Sequence, residues 1–156
     1  MLTEVPIDVQ FAIDSPAVLN ADTMVGWAET VIRRMGDDPT AATACIRVVG
    51  DAESQSLNRD YRGQDKPTNV LSFPADMVVP DGEKILGDLV ICDPVVRQES
   101  QAQDKRVQDH YLHMVVHGML HLYGYDHLDP AEADAMEDLE REILGGLGVA
   151  DPYASG

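Results

Sequence analysis

Four of the chain's five histidines lie within one short segment, HMVVHGMLHLYGYDH at residues 113–127. On a helix, His117 and His121 would project from the same face about 6 Å apart along the axis, close enough to bind one metal ion. Gly124 can end that helix by adopting a positive φ, and the returning chain would then bring His127 to the same point. The spacing therefore predicts a site of three histidines with a fourth position open for water, as in catalytic zinc sites.

His113 offers another way to complete a triad, because it precedes His117 by four residues. Along a straight helix, however, it would lie about 12 Å from His121, too far for two ligands that are each about 2 Å from one ion. We therefore expect His113 to lie around the site or on the surface. Asp126 could orient a histidine or a water molecule, although helix capping or simple solvation explains this residue equally well.

The same segment matches the metzincin pattern HExxHxxGxxH at every position but one. In that pattern the glutamate is the general base that takes a proton from metal-bound water, and this chain has Gly118 in its place. A glycine cannot perform that step. The pattern indicates a metal-dependent hydrolase, and Gly118 argues against peptides as its substrate.

The charge of the chain limits what it can bind. Aspartate and glutamate number 28 against 11 lysines and arginines, which gives a formal net charge of -17 at pH 7. Such a protein is repelled by nucleic acid at long range. Three basic residues nevertheless lie close together in the segment NRDYRGQDKPTN, namely Arg59, Arg62 and Lys66. Any contact with nucleic acid would therefore have to be local.

Residues 1–156 contain no internal repeat, low-complexity tract or flexible linker, which predicts a single domain. No apolar run approaches the roughly 20 residues needed to span a membrane, and the first residues lack the pattern of a signal peptide. Cys45 and Cys92 fall in apolar runs without CxxC spacing. We therefore expect two buried free thiols in a reducing cytoplasm.

Apolar periodicity predicts strands that alternate with helices early in the chain and helices that cluster late. Strand patterns cover about residues 7–13, 44–49, 68–73 and 85–93, and helical patterns cover about residues 24–35, 51–59, 111–122 and 130–147. A further helix is expected to open at Asp93-Pro94, with Asp93 as its N-cap and Pro94 as its first residue. The predicted fold is α+β with α/β-like character. It has a small mixed four-stranded sheet covered by helices and a zincin-like metal-binding helix near the C-terminus.

Capping and turn residues predict where several of these elements begin and end. Asp51 is expected to cap the second helix, Pro74 to stop the third strand and residues 79–84 to form a turn. Asp129 is expected to cap the last helix. The buried stripe of that helix is predicted to be Met136, Leu139, Ile143 and Leu147.

Several segments together resemble the YbeY endoribonucleases, a family of bacterial rRNA maturation factors. HGMLHLYGYDH at residues 117–127 is similar to the histidine motif of that family. LNRDYRGQDKPTNVLSFP at 57–74 and LGDLVICDP at 86–94 resemble two further blocks, and the acidic last helix ending in LGVADPY is also similar. These segments cover most of residues 45–153 in the family's order.

The resemblance implies a zinc-dependent, single-strand-specific endoribonuclease that acts in 3′-end maturation of small-subunit (16S) rRNA and in ribosome quality control, in the cytoplasm. It implies one Zn²⁺ per chain, held by His117, His121 and His127, and a functional arginine at Arg62. It also implies the small ribosomal subunit, ribosomal protein uS11 and the GTPase Era as partners. Neither DNA nor a membrane is among them.

The residue types suit phosphodiester cleavage, in which negative charge develops on the phosphoryl oxygens. A metal-bound water at His117 could supply the nucleophile, and the planar guanidinium of Arg62 could bind two phosphate oxygens. On spacing alone, Arg62 could equally form a surface salt bridge. Arg59 and Lys66 are weaker candidates for phosphate contacts. Two alternatives stay open: a metallopeptidase-like or other small-substrate metal hydrolase, and a non-catalytic, zinc-containing ribosome assembly factor.

Overall fold

The computed structural model describes residues 7–13, 20–78, 82–125 and 129–149. Within these ranges the strands are β1 (Ile7–Phe11), β2 (Ala42–Val49), β3 (Val70–Val78) and β4 (Lys84–Cys92). They form one mixed sheet in the order β1-β2-β4-β3. β2 runs parallel to both β1 and β4, and β3 pairs antiparallel with β4 at the edge of the sheet.

Helices accompany this sheet along the described part of the chain. They are α1 (Ala21–Arg34), α2 (Asp51–Arg62), α3 (Asp93–Ala102), α4 (Val107–Leu122) and α5 (Pro130–Gly146), with a short 3-10 helix at Pro39–Ala41. The predicted α+β fold, with a mixed four-stranded sheet and helices clustered late, is confirmed. None of the described helices is both long and apolar enough to cross a membrane.

Helix α4 lies at the centre of the fold, where it packs against α1, α3, α5 and the strands β3 and β4. From His110 to Leu122 its side chains are buried, except for the half-buried His117 and His121. A helix that is apolar on nearly all sides is stable only when other elements surround it. The two half-buried histidines therefore mark the side of α4 that reaches solvent.

The sheet carries a large hydrophobic core on one face and a small one on the other. Because side chains alternate along a strand, Leu89 and Ile91 of β4 join the large core, whereas Val90 and Cys92 join the small one. The large core includes the buried faces of α1, α4 and α5. The small core is covered in part by Leu57 of α2. On the face of the large core, α1 and α5 thus hold α4 against the sheet.

Two of the predicted helix starts are displaced by one residue. Asp51 does not cap α2, because the N-cap is Gly50 and Asp51 is the first helical residue. Its carboxylate accepts a hydrogen bond from the Cys92 thiol and stays near the positive end of the helix dipole. In α3, likewise, Cys92 is the N-cap and Asp93 is the first helical residue. Helix α2 also extends beyond its predicted end, to Arg62.

The prediction that Pro74 stops β3 is wrong, since the strand continues to Val78. β3 is an edge strand, on which a proline can point its missing N–H away from the neighbouring strand. A shift in register between Pro74 and Met77 absorbs the irregularity. Of the predicted turn, residues 79–81 lie outside the described residues.

In α5 the predicted cap is confirmed, because the Asp129 carboxylate accepts a hydrogen bond from the Glu132 amide. Met136 and Ile143 are buried as predicted, and Leu139 packs against the core. Leu147 is the exception: it forms the C-cap of α5 and is exposed.

The two cysteines are free thiols. Cys92 is buried as expected, whereas Cys45 is only half-buried on the sheet. Burial raises the pKa of both thiols above its usual range, which keeps them protonated and unreactive at neutral pH.

Candidate metal centre and its cleft

Helix α4 brings two of the predicted metal ligands together on its solvent side. The Nε2 atoms of His117 and His121 lie 3.1 Å apart. Two nitrogens that each bind a tetrahedral zinc ion at about 2.0–2.1 Å lie roughly 3.3 Å from one another. The two rings therefore have the geometry to share one ion. Without an ion, the same distance suits one hydrogen bond between the rings.

The turn that should present the third ligand begins as predicted. Helix α4 ends at Leu122, and Gly124 adopts a φ of 98°, which a residue with a side chain rarely tolerates. The amide of Tyr125 donates a hydrogen bond to the carbonyl of Leu120, which closes the helix end. His127 and Asp126 lie outside the described residues, so their roles stay predictions.

A buried glutamate from α5 contacts the other side of His117. Glu140 is fully buried, and its Oε1 lies 2.5 Å from Nδ1 of His117. Because Nδ1 and Nε2 lie on opposite sides of the imidazole ring, this contact leaves Nε2 facing His121. A carboxylate behind a metal-binding histidine is a common arrangement in metalloproteins.

His113 approaches the same glutamate from the preceding turn of α4. Its buried side chain places Nε2 3.7 Å from Oε1 of Glu140. The ligand atoms of His113, His117 and Glu140 all lie within 4.8 Å of one another, so these residues could themselves hold a metal ion. The structure thus offers two possible groupings that share His117, one directed toward His121 and the other toward Glu140.

Gly118, which stands where the metzincin pattern has glutamate, has a packing role. It is buried, and a Cβ added there would come within 2.8 Å of the Leu89 side chain on β4. The Ser72 hydroxyl of β3 donates a hydrogen bond to the Gly118 carbonyl. The missing side chain lets α4 lie close against the sheet, and a catalytic glutamate at this position would have to displace Leu89.

The two histidines open into a cleft of about 700 Å³ between α4 and the strand β3. The guanidinium-bearing side chain of Arg62, at the end of α2, lies on the same cleft. The remaining lining residues are Thr68, Asn69, Val70, Ser72, Pro74, Gly124 and Tyr125. The cleft therefore combines two imidazoles, one permanent positive charge and several small polar groups.

The other two basic residues of the segment do not line this cleft. Arg59 and Lys66 are exposed. The Arg59 guanidinium lies 3.5 Å from the carboxylate of Asp60 and 3.8 Å from that of Asp65. The three basic residues of the segment thus face different surroundings, and Arg62 is the member that shares the cleft with the histidines.

A second polar network braces the rim of the cleft. The Asn69 side-chain amide donates hydrogen bonds to both carboxylate oxygens of Glu99 on α3, at 3.1 and 3.3 Å. Oε1 of Glu99 also lies 2.9 Å from Nε2 of the buried His110 on α4. Burial lowers the pKa of His110 below its usual range, although Glu99 acts in the opposite direction. The network ties β3, α3 and α4 together beside the cleft.

Sequence patterns did not single out Glu140 or Glu99. Glu140 occupies a position four residues after Met136 and three before Ile143, on the apolar stripe of α5. A charged residue on a buried helix face needs a partner, so Glu140 carried a detectable signal. Glu99 carried no such signal, because glutamate is common at the surface positions of helices.

Comparisons with known proteins agree on the family. A family model described as endoribonuclease YbeY matches residues 12–148. A curated relative named endoribonuclease YbeY, from Alteromonas mediterranea, is 51% identical over 154 residues, which cover 94% of this chain and 95% of the relative. Another of that name, from Stenotrophomonas maltophilia, is 61% identical over 117 residues, covering 72% of this chain and 73% of the relative.

Among solved structures, a Thermotoga maritima protein determined in solution matches with a TM-score of 0.57 at 23% identity, over 96% of this chain and 99% of that one. At that identity the match shows a shared fold. The family model and the curated relatives go further, and they support a nuclease role. The chain therefore belongs to the YbeY endoribonuclease family, as its histidine motif and accompanying blocks predict.

Proposed function

We propose that this chain is a zinc-dependent endoribonuclease that cleaves single-stranded RNA, acting in 3′-end maturation of 16S rRNA and in ribosome quality control in the cytoplasm. The observation that carries the proposal is the cleft shared by His117, His121 and Arg62, in a chain of an endoribonuclease family. The single domain would span residues 1–156.

One Zn²⁺ per chain would be held by His117, His121 and His127. The close approach of the first two Nε2 atoms fits such a site, as does a donor set made of imidazoles. When bound, the ion would supply Lewis acidity to a water molecule or to a phosphoryl oxygen. Three protein ligands leave a position open for that role.

Arg62 would bind the phosphate whose ester bond is cleaved. Its side chain lies on the cleft with the histidines, and a guanidinium presents paired N–H donors that match two phosphoryl oxygens. It would stabilise the charge that develops on those oxygens in the transition state. The polar groups of Thr68, Asn69 and Ser72 along the same cleft would bind the sugar or an unpaired base.

The size of the cleft suits a single strand. About 700 Å³ is typical of a pocket for a small ligand, so one unpaired nucleotide with its phosphates fits better than a duplex. Peptide hydrolysis is a poorer match, because Gly118 supplies no general base and a side chain at its buried position would have to displace Leu89.

The acidity of the chain bears on how the RNA is bound. At a net charge of -17, counterion release contributes little to the affinity for naked RNA. The small ribosomal subunit, through ribosomal protein uS11 and the GTPase Era, would therefore bring the substrate to the cleft. Arg59 and Lys66 would add weak phosphate contacts outside it.

A cleavage assay tests the proposal. End-labelled single-stranded RNA, the same sequence as a duplex, and a peptide would each be incubated with chelator-treated protein, before and after Zn²⁺ is restored. We expect cleavage of the single strand alone, lost on chelation, regained with Zn²⁺, and absent in His121→Ala. Intact RNA with the wild type as well as with His121→Ala would favour the assembly-factor alternative. Cleavage of the peptide would favour the alternative of a peptidase-like or other small-substrate hydrolase.

A further inference from the structure

We propose that Glu140 is a positioning residue for the cleft: its buried carboxylate fixes the tautomer and the orientation of His117, so that the Nε2 lone pair faces His121. The inference deepens the proposed function, and the effect of Glu140 on metal binding rests on that function. The tautomer itself exists in the protein without any ion.

The contact between Glu140 and His117 is a hydrogen bond. Where the carboxylate is ionised it only accepts hydrogen bonds, and the 2.5 Å contact between Oε1 of Glu140 and Nδ1 of His117 then places the proton on Nδ1. In a neutral imidazole the other nitrogen then carries a lone pair. That nitrogen, Nε2, lies 3.1 Å from Nε2 of His121 and opens into the cleft.

The interatomic distances separate this arrangement from a metal site built on Glu140 itself. Two ligands of one zinc ion normally lie roughly 3.3 Å apart. The Glu140–His117 contact, at 2.5 Å, is shorter than that and suits a hydrogen bond, whereas the His117–His121 contact is close to it. Glu140 and His113 are also buried, so a cation between them would have no open position for water or substrate.

Burying the Glu140 carboxylate has an energetic cost. Glu140 has no solvent exposure, and a buried charge is stable only when other groups compensate it. Two compensating groups come from α4, with His117 in contact and His113 3.7 Å away. Helix α5, which does not line the cleft, thereby determines the orientation of a ring that does.

The direct test is the tautomer of His117 in metal-free protein, read from long-range ¹H–¹⁵N correlations of the imidazole. We expect the wild type to carry its proton on Nδ1, and Glu140→Gln to shift His117 toward the Nε2–H form or a mixture. An Nε2–H tautomer in the wild type would overturn the proposal, even if the variant fails to fold.

The second test measures Zn²⁺ affinity by competition with a chromophoric chelator. Loss of an acidic group behind a metal-binding histidine typically weakens binding by 10- to 100-fold, and we expect a loss of about that size for Glu140→Gln. The control is Glu142→Gln on the same helix, whose exposed carboxylate pairs with Arg34 of α1. Its affinity should match the wild type, and equal affinity in both variants would contradict the proposal.

Two comparisons distinguish the possible failures. If Glu140 were itself a ligand, Glu140→Gln would lose the ion whereas His121→Ala would retain it, and the positioning role would be wrong. If the protein bound Zn²⁺ as expected but cleaved no RNA, the proposed function would fail while the tautomer and affinity results would still support the role of Glu140.

Discussion

Helix α4 makes two histidine–glutamate contacts with neighbouring helices, and the two differ in what lies behind them. His117 meets Glu140 of α5 at 2.5 Å, and its other ring nitrogen faces His121 in the cleft. His110 meets Glu99 of α3 at 2.9 Å, and its other ring nitrogen is buried with no hydrogen-bond partner among the described residues. The same pair of residue types therefore borders the open cleft in one place and joins packed helices in the other.

The two glutamates also differ in burial. Glu140 has no solvent exposure, whereas the side chain of Glu99 is 32% exposed and accepts additional hydrogen bonds from Asn69. Water can compensate Glu99 when one contact is lost, but it cannot reach Glu140. Changes at the Glu140 contact should therefore alter the site, and changes at the Glu99 contact should alter mainly stability.

The largest difference is expected between single substitutions of His117 and His110. His117→Ala should lower the rate of RNA cleavage by at least about 100-fold and reduce bound zinc from one ion per chain to a small fraction, because a ligand is lost. His110→Gln should leave cleavage within about threefold of the wild type, since its ring does not line the cleft. Cleavage rates and metal content on folded proteins check both. A comparable loss in the two variants would end the distinction between the contacts.

A somewhat smaller effect is expected from the arginines, where position in the cleft should matter more than charge. Arg62→Ala should slow RNA cleavage by about 10- to 1,000-fold with zinc content unchanged, because transition-state charge loses a partner. Arg62→Lys should recover only part of this, since an ammonium lacks the paired donors. Arg59→Ala should slow cleavage by no more than about threefold, because its guanidinium is already near two carboxylates. Equal losses for Arg62→Ala and Arg59→Ala would show that general charge is what counts.

What the sequence could predict depends on how local the interaction is. The approach of His117 to His121 follows from helical periodicity, and the end of α4 follows from the freedom of Gly124 to take a positive φ. The existence of the strands and helices could likewise be predicted from apolar spacing, because this spacing is a local property of the sequence. These features need only the few residues around them.

The remaining features depend on packing between distant segments. The contact between His117 and Glu140 spans 23 residues of sequence, and it forms only because α5 lies against one particular side of α4. Pro74 was expected to stop a strand because local patterns do not show that β3 lies at the edge of the sheet, where a proline is tolerated. That position is set by the strand order β2-β4-β3. Whether Arg62 or Arg59 faces the cleft likewise depends on the rotation of α2 in the folded chain.

A moderate effect on stability, without an effect on zinc binding, is expected for Glu99→Gln. The substitution weakens the charge-assisted hydrogen bonds to Asn69 and His110, and it should lower the free energy of unfolding by about 1–2 kcal/mol. Zn²⁺ affinity should stay within about twofold of the wild type, because neither Asn69 nor His110 is among the proposed zinc ligands. Urea unfolding and chelator competition measure the two quantities. A tenfold loss of affinity would show that the Glu99 network extends to the metal centre.

The smallest effect is expected where a glutamate contact lies on the surface, outside the lining of the cleft. Glu53 of α2 pairs with Arg47 of β2 at 2.6 Å, and both side chains are more than a third exposed. The hydrogen bond from Arg47 lowers the pKa of Glu53 below its usual range, so this contribution to stability is present above about pH 4.5 and is lost as the pH falls through the lowered pKa.

Because water screens the exposed pair, Glu53→Gln should lower the Tm by no more than about 3 °C at pH 7. The difference from the wild type should shrink toward zero as the pH drops through that range, which thermal unfolding at a series of pH values would measure. Cleavage and zinc affinity should not change at any pH at which the protein is folded. If Glu53→Gln lowered the Tm at pH 7 as much as Glu99→Gln does, the contribution of these glutamate contacts to stability would not depend on their burial. The contrast between Glu140 and Glu99 would then need another cause.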